Sequence, residues 1–397
     1  MDAQSLLLLA VLFSAVAIGW VMGRGARNES DTEGQASSYI EGLNYLLKEQ
    51  PDEAIDAFLE ALEINDSTVE VHFILGQLLR KQGQPDRAIR VHQNLIARPG
   101  IERSAQNRAK FELALDFMQS GLYDRASRIF SEQVANKTEH ATASAEKLLD
   151  IHIVERDWDA ALEVIRTIKT RRISLDGRYR NLKRVTAHLL CEKADQSMQS
   201  QRFDAAEELL KKARRADGDC PRVLYGRIQL NQKRGALAAA KRDVRLLLEI
   251  DPHRHAHYLG FARELYELDH DINGLAEMLK LRIEGGSKYL LDRVLLAKTL
   301  FQLKGHSTHE ADDLIDDLIE QSNSLGAADL YINRLRVANP TLSPALGKLA
   351  KLVQARIAKK SKFRCTQCGF TGQQLHWVCP SCKEWESVVS NDESGVS

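Results

Sequence analysis

Four of the chain's six cysteines stand in one short stretch, as Cys365-x2-Cys368, ten residues, then Cys379-x2-Cys382. A C-x2-C pair on a tight turn aims two thiolates at one point while backbone N–H groups of the turn bond the sulfurs. Two such pairs close a tetrahedral S4 site, and Gly369 and Pro380 are turn formers at suitable places beside them. The predicted metal ligands are therefore Cys365, Cys368, Cys379 and Cys382, holding one ion. A tetrahedral thiolate set accepts zinc and iron alike. A segment of about thirty residues cannot build its own core, so the ion would serve as one. Trp377, Trp385 and Phe370 supply apolar mass around it and a means of docking the knuckle onto the helices before it.

Other residues of reactive type are less suggestive. In Pro252-His253-Arg254-His255-Ala256-His257 the histidines at 253 and 257 share a helix face at i and i+4, but no carboxylate or cysteine joins them, and the tract reads as a solvated helix start. Cys191 and Cys220 stand alone and read as small apolar fillers or partly exposed thiols. The chain holds no G-x-x-x-x-G-K-[ST], no strand-borne G-x-G-x-x-G, no H-E-x-x-H and no G-x-S-x-G, so no catalytic residue and no organic cofactor is predicted, and the chain reads as non-enzymatic.

The elements that carry the knuckle are helical. Among 397 residues only 8 are proline, and Ala, Leu, Glu, Lys and Arg dominate the long middle. The 55 Lys and Arg balance 55 Asp and Glu, so the chain has no global field to hold a polyanion, which argues against a nucleic-acid partner. A period of 34 relates Gly42 to Gly76, Pro51 to Pro85, Asp52 to Asp86 and Ala54 to Ala88, the spacing of tetratricopeptide repeats. A third copy places Ala114, Phe117, Gly121, Asp124, Ala126 and Phe130 in the matching positions, and looser copies follow at Ala161, Ala206 and Ala240. Small residues let two helices of a pair approach, and Tyr45, Phe58, Phe117 and Phe130 fill the gaps between repeats. The recurring Asp at 52, 86, 124, 159 and 204 is placed to cap the second helix and meet its dipole. The reading is an all-α fold: a superhelical solenoid of about eight or nine helix pairs over residues 39–360, whose groove suits peptides or protein partners.

At the other end, Leu6 to Gly23 is 18 residues without a charge, and a helix of that length spans roughly 27 Å, about a bilayer's hydrocarbon core. Only Asp2 precedes it, whereas Arg24 and Arg27 follow, so the bulk of the chain is expected in the cytoplasm. No basic n-region or small-residue cleavage site marks a signal peptide. Thiols in the cytoplasm stay reduced, which favours a metal over disulfides at the knuckle. Residues 1–23 are thus predicted to be a transmembrane anchor and the polar stretch 24–38 a flexible linker, with a reach of roughly 20 Å. The knuckle is assigned to 361–386 and a disordered tail to 387–397.

An anchor, a tetratricopeptide array and a terminal rubredoxin-like knuckle with CTQCG and CPSC, in that order, resemble the lipopolysaccharide assembly protein B family over essentially the whole chain. The repeats depart from the general pattern in lacking its early Trp and, in the first copy, its closing Pro, where Asp66 stands. The resemblance implies a single-pass regulator on the cytoplasmic face of the Gram-negative inner membrane. Such a protein is an adaptor that helps a membrane-bound AAA metalloprotease degrade the deacetylase committing precursors to lipid A. It further implies an inner-membrane, lipopolysaccharide-sensing partner that meets the anchor. Cys365, Cys368, Cys379 and Cys382 occupy the family's four ligand positions. The residues leave open a scaffold for lipopolysaccharide synthesis and export enzymes, an iron-based electron carrier, and a homodimer through the array.

Overall fold

The computed structural model describes residues 44–45, 68–175, 179–304, 309–321 and 324–391. The predicted anchor, the linker and most of the first repeat, with Asp52, Ala54 and Phe58, lie outside them. Among the described residues no helix is long and apolar enough to cross a membrane.

These residues form sixteen helices in eight successive pairs and then a small sheet. The first two pairs are α1 (Val69–Lys81) with α2 (Pro85–Ala97) and α3 (Arg103–Gln119) with α4 (Tyr123–Ala135). Next come α5 (Ala141–Glu155) with α6 (Trp158–Arg171), α7 (Leu182–Gln199) with α8 (Phe203–Ala216), and α9 (Pro221–Lys233) with α10 (Leu237–Ile250). The last three are α11 (His255–Leu268) with α12 (Ile272–Glu284), α13 (Leu290–Lys304) with α14 (His309–Gln321), and α15 (Leu325–Ala338) with α16 (Ser343–Lys359). The chain divides into two compact units, up to Ile151 and from His152 onward.

The repeat signature has a direct steric cause. Ala88, Ala114, Ala126, Ala161, Ala206 and Ala240 are fully buried, as is Phe130, so the positions that recur in sequence are where helices touch. In the first unit, a Cβ on Gly76 would lie 2.4 Å from the buried His92 ring. His92 in turn meets Asp116 at 2.5 Å, and Asp116 accepts a hydrogen bond from Arg80 Nη1 at 2.7 Å. The glycine at 76 therefore lets a buried charged network form between α1, α2 and α3. The turn inside each of the first six pairs contains one left-handed residue: Gly83, Gly121, Arg156, Gln201, Gly235 and His270. Only half are glycine, although side chains cost energy in this conformation. That is one reason the later copies look degraded in sequence.

One expectation needs correction. Asp86, Asp124, Asp159 and Asp204 lie in the first turn of their helices and favour its dipole, but none is the capping residue. The chain enters each of these helices two residues earlier than the pattern implies, with the capping position at Gln84, Leu122, Asp157 and Arg202. Side-chain caps come instead from Asp157, Asn181, Asp271 and Ser324, which accept from backbone N–H groups two or three residues on.

Candidate metal centre

After α16 the chain forms β1 (Phe363–Cys365), β2 (Thr371–Gly372) and β3 (Val388–Ser390), an antiparallel sheet in the order β2-β1-β3. Phe363 pairs with Gly372 on one side and Ser390 on the other, and Cys365 pairs with Val388. The metal-binding segment therefore runs to Asn391, whose N–H donates to Lys362 O at 2.8 Å. This moves the expected boundary at 386: residues 387–391 belong to the fold because β1 needs β3 as its second partner.

Each cysteine pair sits on a turn of the same design. In the first, Cys365 N–H donates to Phe370 O at 2.7 Å and Gly369 N–H to Cys365 O at 3.1 Å. In the second, Cys379 N–H donates to Glu384 O and Lys383 N–H to Cys379 O, both at 3.0 Å. The residue after the second cysteine of each pair is left-handed, Gly369 in one turn and Lys383 in the other. Pro380, expected to shape the second turn, is joined in that role by Lys383, which sequence reading missed because lysine rarely adopts this conformation.

The four thiols converge. All four sulfurs lie within 4.8 Å of one another, with Cys365 to Cys382 at 3.7 Å and Cys368 to Cys379 at 3.6 Å. A tetrahedral ion with metal–sulfur bonds of about 2.3 Å needs sulfurs about 3.8 Å apart. Burial would raise the Cys365 thiol, but the Ser387 hydroxyl and the backbone N–H groups of Cys368 and Gln367 outweigh it and bring it down to about 6. Burial and the neighbouring thiols push Cys382 up to about 12. Four thiolates cannot share so small a space without a cation between them, and a divalent ion supplies that cation. The set fits one ion, and these four cysteines form a metal-binding site.

The knuckle is seated on the second half of the array. Trp377 and Trp385 are both buried, Trp385 stacking on the His188 ring of α7 at 4.6 Å and Trp377 lying 5.9 Å from Tyr225 of α9. Arg254, in the turn before α11, is 3% exposed. It donates to Val388 O at 3.0 Å, to Glu386 O at 2.5 Å and to Asp251 Oδ2 at 2.7 Å, with its guanidinium 4.9 Å from the Trp377 ring. Glu386 meets His188 at 3.1 Å and Arg184 at 3.3 Å. Burial drives His188 down to about 4, so the ring docks neutral. Burial would raise Glu386, but His188, Arg184 and Arg254 hold it below the usual carboxylate value. Docking by the tryptophans was legible in sequence; Arg254, His188 and Glu386 were not, because polar partners so far apart in the chain leave no local pattern.

The remaining candidates resolve. The tract from Pro252 to His257 is a solvated helix start only at Pro252 and His253, which are exposed. Arg254 and His255 are buried, His255 meeting Asp292 at 2.9 Å and stacking on Tyr289, while His257 lies 3.2 Å from Tyr225 Oη. The knuckle covers Arg254 and His257, while Asp292 and Tyr289 cover His255, and no local sequence pattern announces either. Cys191 and Cys220 are buried fillers whose thiols burial pushes up, Cys220 to about 11. Cys220, His188 and Glu386 come within 4.8 Å of one another, but the Arg184 guanidinium already balances that carboxylate, and the trio belongs to the seat.

Known families match both parts of this architecture. A family described as "Rubredoxin metal binding domain" matches residues 363–390, and one described as "Tetratricopeptide repeat" matches 40–100 and 191–254. The chain is 30% identical to lipopolysaccharide assembly protein B of Escherichia coli K12 over 406 aligned positions, covering 96% of this chain and 97% of that protein. It is 29% identical to the protein of the same name from Haemophilus influenzae, covering 98% of this chain and 99% of that one. A crystal structure of a tetratricopeptide repeat protein from Parabacteroides merdae aligns with a TM-score of 0.33 at 13% identity, over 66% of this chain and 97% of that one. With a metal-binding knuckle seated on a tetratricopeptide array and relatives matched over nearly the full length, the chain belongs to the lipopolysaccharide assembly protein B family.

Proposed function

We propose that this chain is a non-catalytic adaptor of the Gram-negative inner membrane. It is held there by Leu6 to Gly23 with its bulk in the cytoplasm, and it presents the lipid A-committing deacetylase to a membrane-bound AAA metalloprotease. A lipopolysaccharide-sensing partner in the same membrane restrains it through the anchor. The observation that carries this reading is the seat of the knuckle: Arg254, Trp377 and Trp385 join the four-cysteine segment to α7, α9 and the turn before α11, a docked body suited to holding a protein partner. The family membership supports a role in lipopolysaccharide assembly, and the uncharged stretch before Arg24 and Arg27 supports the anchor.

The test is the half-life of the deacetylase after translation is blocked. Cells would carry the intact chain, a chain lacking residues 1–23, or a Cys379→Ser/Cys382→Ser chain, each at matched abundance. The adaptor reading expects the deacetylase to persist several-fold longer with either altered chain. An unchanged half-life, with pathway enzymes still co-purifying, would replace it by the scaffold reading.

A further inference from the structure

Beside the docked knuckle, α11, α13 and α16 enclose with β1 and β3 a groove of about 1170 Å³. Its floor is apolar and aromatic, with Tyr225 5.6 Å from Phe261 and His257 5.5 Å from Phe363. Along α11, Ala256 and Gly260 keep the floor low: Gly260 is exposed, and a Cβ built on it meets nothing within 4 Å.

The charge of the walls is one-sided. Lys288, Arg293, Lys298, Lys360 and Lys362 line the groove against a single acid, Glu264. Lys298 and Lys362 are exposed and, among the described residues, Lys288, Lys298 and Lys362 enter no ion pair. Burial lowers His257 to about 4, with Arg254 and Lys362 adding to the shift. In a chain with formal charge +0, three lysines without an ion pair over an apolar floor are a local feature of this groove. Its polar lining includes Ser390 and Asn391, in and just after β3. Aromatic pockets and unpaired lysines together suit an extended peptide whose acidic side chains alternate with apolar ones.

We infer that this groove binds an acidic, extended segment of a protein partner, with Lys298 and Lys362 meeting its carboxylates and the Tyr225–Phe261 floor taking its apolar side chains. The inference rests on the array being a holder of protein clients and specifies the chemistry of what it holds. Free phosphate or a lipid headgroup would satisfy the lysines but would leave the aromatic floor uncovered.

The experiment uses the full chain in neutral phosphatidylcholine nanodiscs and a short fluorescein-labelled peptide of alternating Glu with Tyr or Leu, its Gln counterpart serving as control. Fluorescence anisotropy should show binding of the acidic peptide alone, weakening as salt rises from about 0.05 M to about 0.5 M. Lys298→Glu/Lys362→Glu and, separately, Gly260→Phe should each weaken binding about tenfold or more, while Lys298→Arg/Lys362→Arg retains it and thermal unfolding stays unchanged in all. Equal binding by all variants, equal binding of the Gln peptide, or displacement by millimolar glycerol phosphate alone would overturn the inference, the last outcome pointing to an anionic headgroup. Failure here with a deacetylase half-life that still depends on residues 1–23 removes the groove assignment only. Peptide binding with an unchanged half-life removes the proteolytic reading and leaves the groove.

Discussion

Replacing Cys379 and Cys382 together by serine is expected to strip the ion from the chain and unfold residues 363–391 while the helices of the array remain. The buried core of this segment is Phe363, Cys365, Cys379 and Val388, so half of it consists of metal ligands. The strands are two or three residues long and cannot hold themselves together. Structural zinc in comparable small modules contributes about 10 kcal/mol or more of apparent binding energy, and without it they do not fold. Metal analysis should fall from one equivalent per chain to none. Trp377 and Trp385, now buried, should move into water with a red shift of tryptophan emission. Hydrogen exchange should become fast from 363 to 391 and stay slow in α9 and α10. Retention of the ion, or of slow exchange across β1 and β3, would mean that the four thiols are not what holds the segment.

Arg254→Ala should release the folded knuckle from the array without loss of metal. The change leaves Val388 O and Glu386 O without this donor and leaves the Asp251 carboxylate, 3% exposed, with the Tyr258 hydroxyl at 2.7 Å as its one side-chain partner among the described residues. Removing one member of a buried ion pair costs about 3 kcal/mol or more, because the remaining charge keeps its desolvation without its partner. Arg254→Lys keeps the charge but cannot serve two carbonyls, a carboxylate and an indole face at once, so it should recover only part of the loss. Limited proteolysis reads this directly: cleavage within 360–362 should rise sharply in the alanine variant and less in the lysine variant, with one equivalent of metal in each. Cleavage unchanged from the parent chain would show that the tryptophans alone hold the seat.

What the sequence revealed, and what it hid, follows from how far each interaction reaches along the chain. The alanines at 88, 126, 161, 206 and 240 were legible because helix approach repeats with the period of the fold. The four cysteines were legible because both halves of the site are tight local turns. The seat was only half legible: tryptophans beside the ligands suggest docking, but Arg254 lies 132 residues from the carbonyl of Glu386 and looked like part of a solvated histidine tract. The aspartates at 86, 124, 159 and 204 were assigned caps because they stand at helix starts, yet a shift of two residues is enough to separate a cap from a first-turn acid. The groove left no sequence mark, since its lysines come from α13, the end of α16 and the approach to β1.

The adaptor claim is tested most directly by reconstitution. The purified deacetylase would be incubated with the membrane-bound AAA metalloprotease and ATP in vesicles, with and without the full chain, and its disappearance followed over time. The account predicts that the intact chain accelerates degradation several-fold, and that Cys379→Ser/Cys382→Ser and Arg254→Ala chains do so much less. Degradation at one rate regardless of the chain would contradict it.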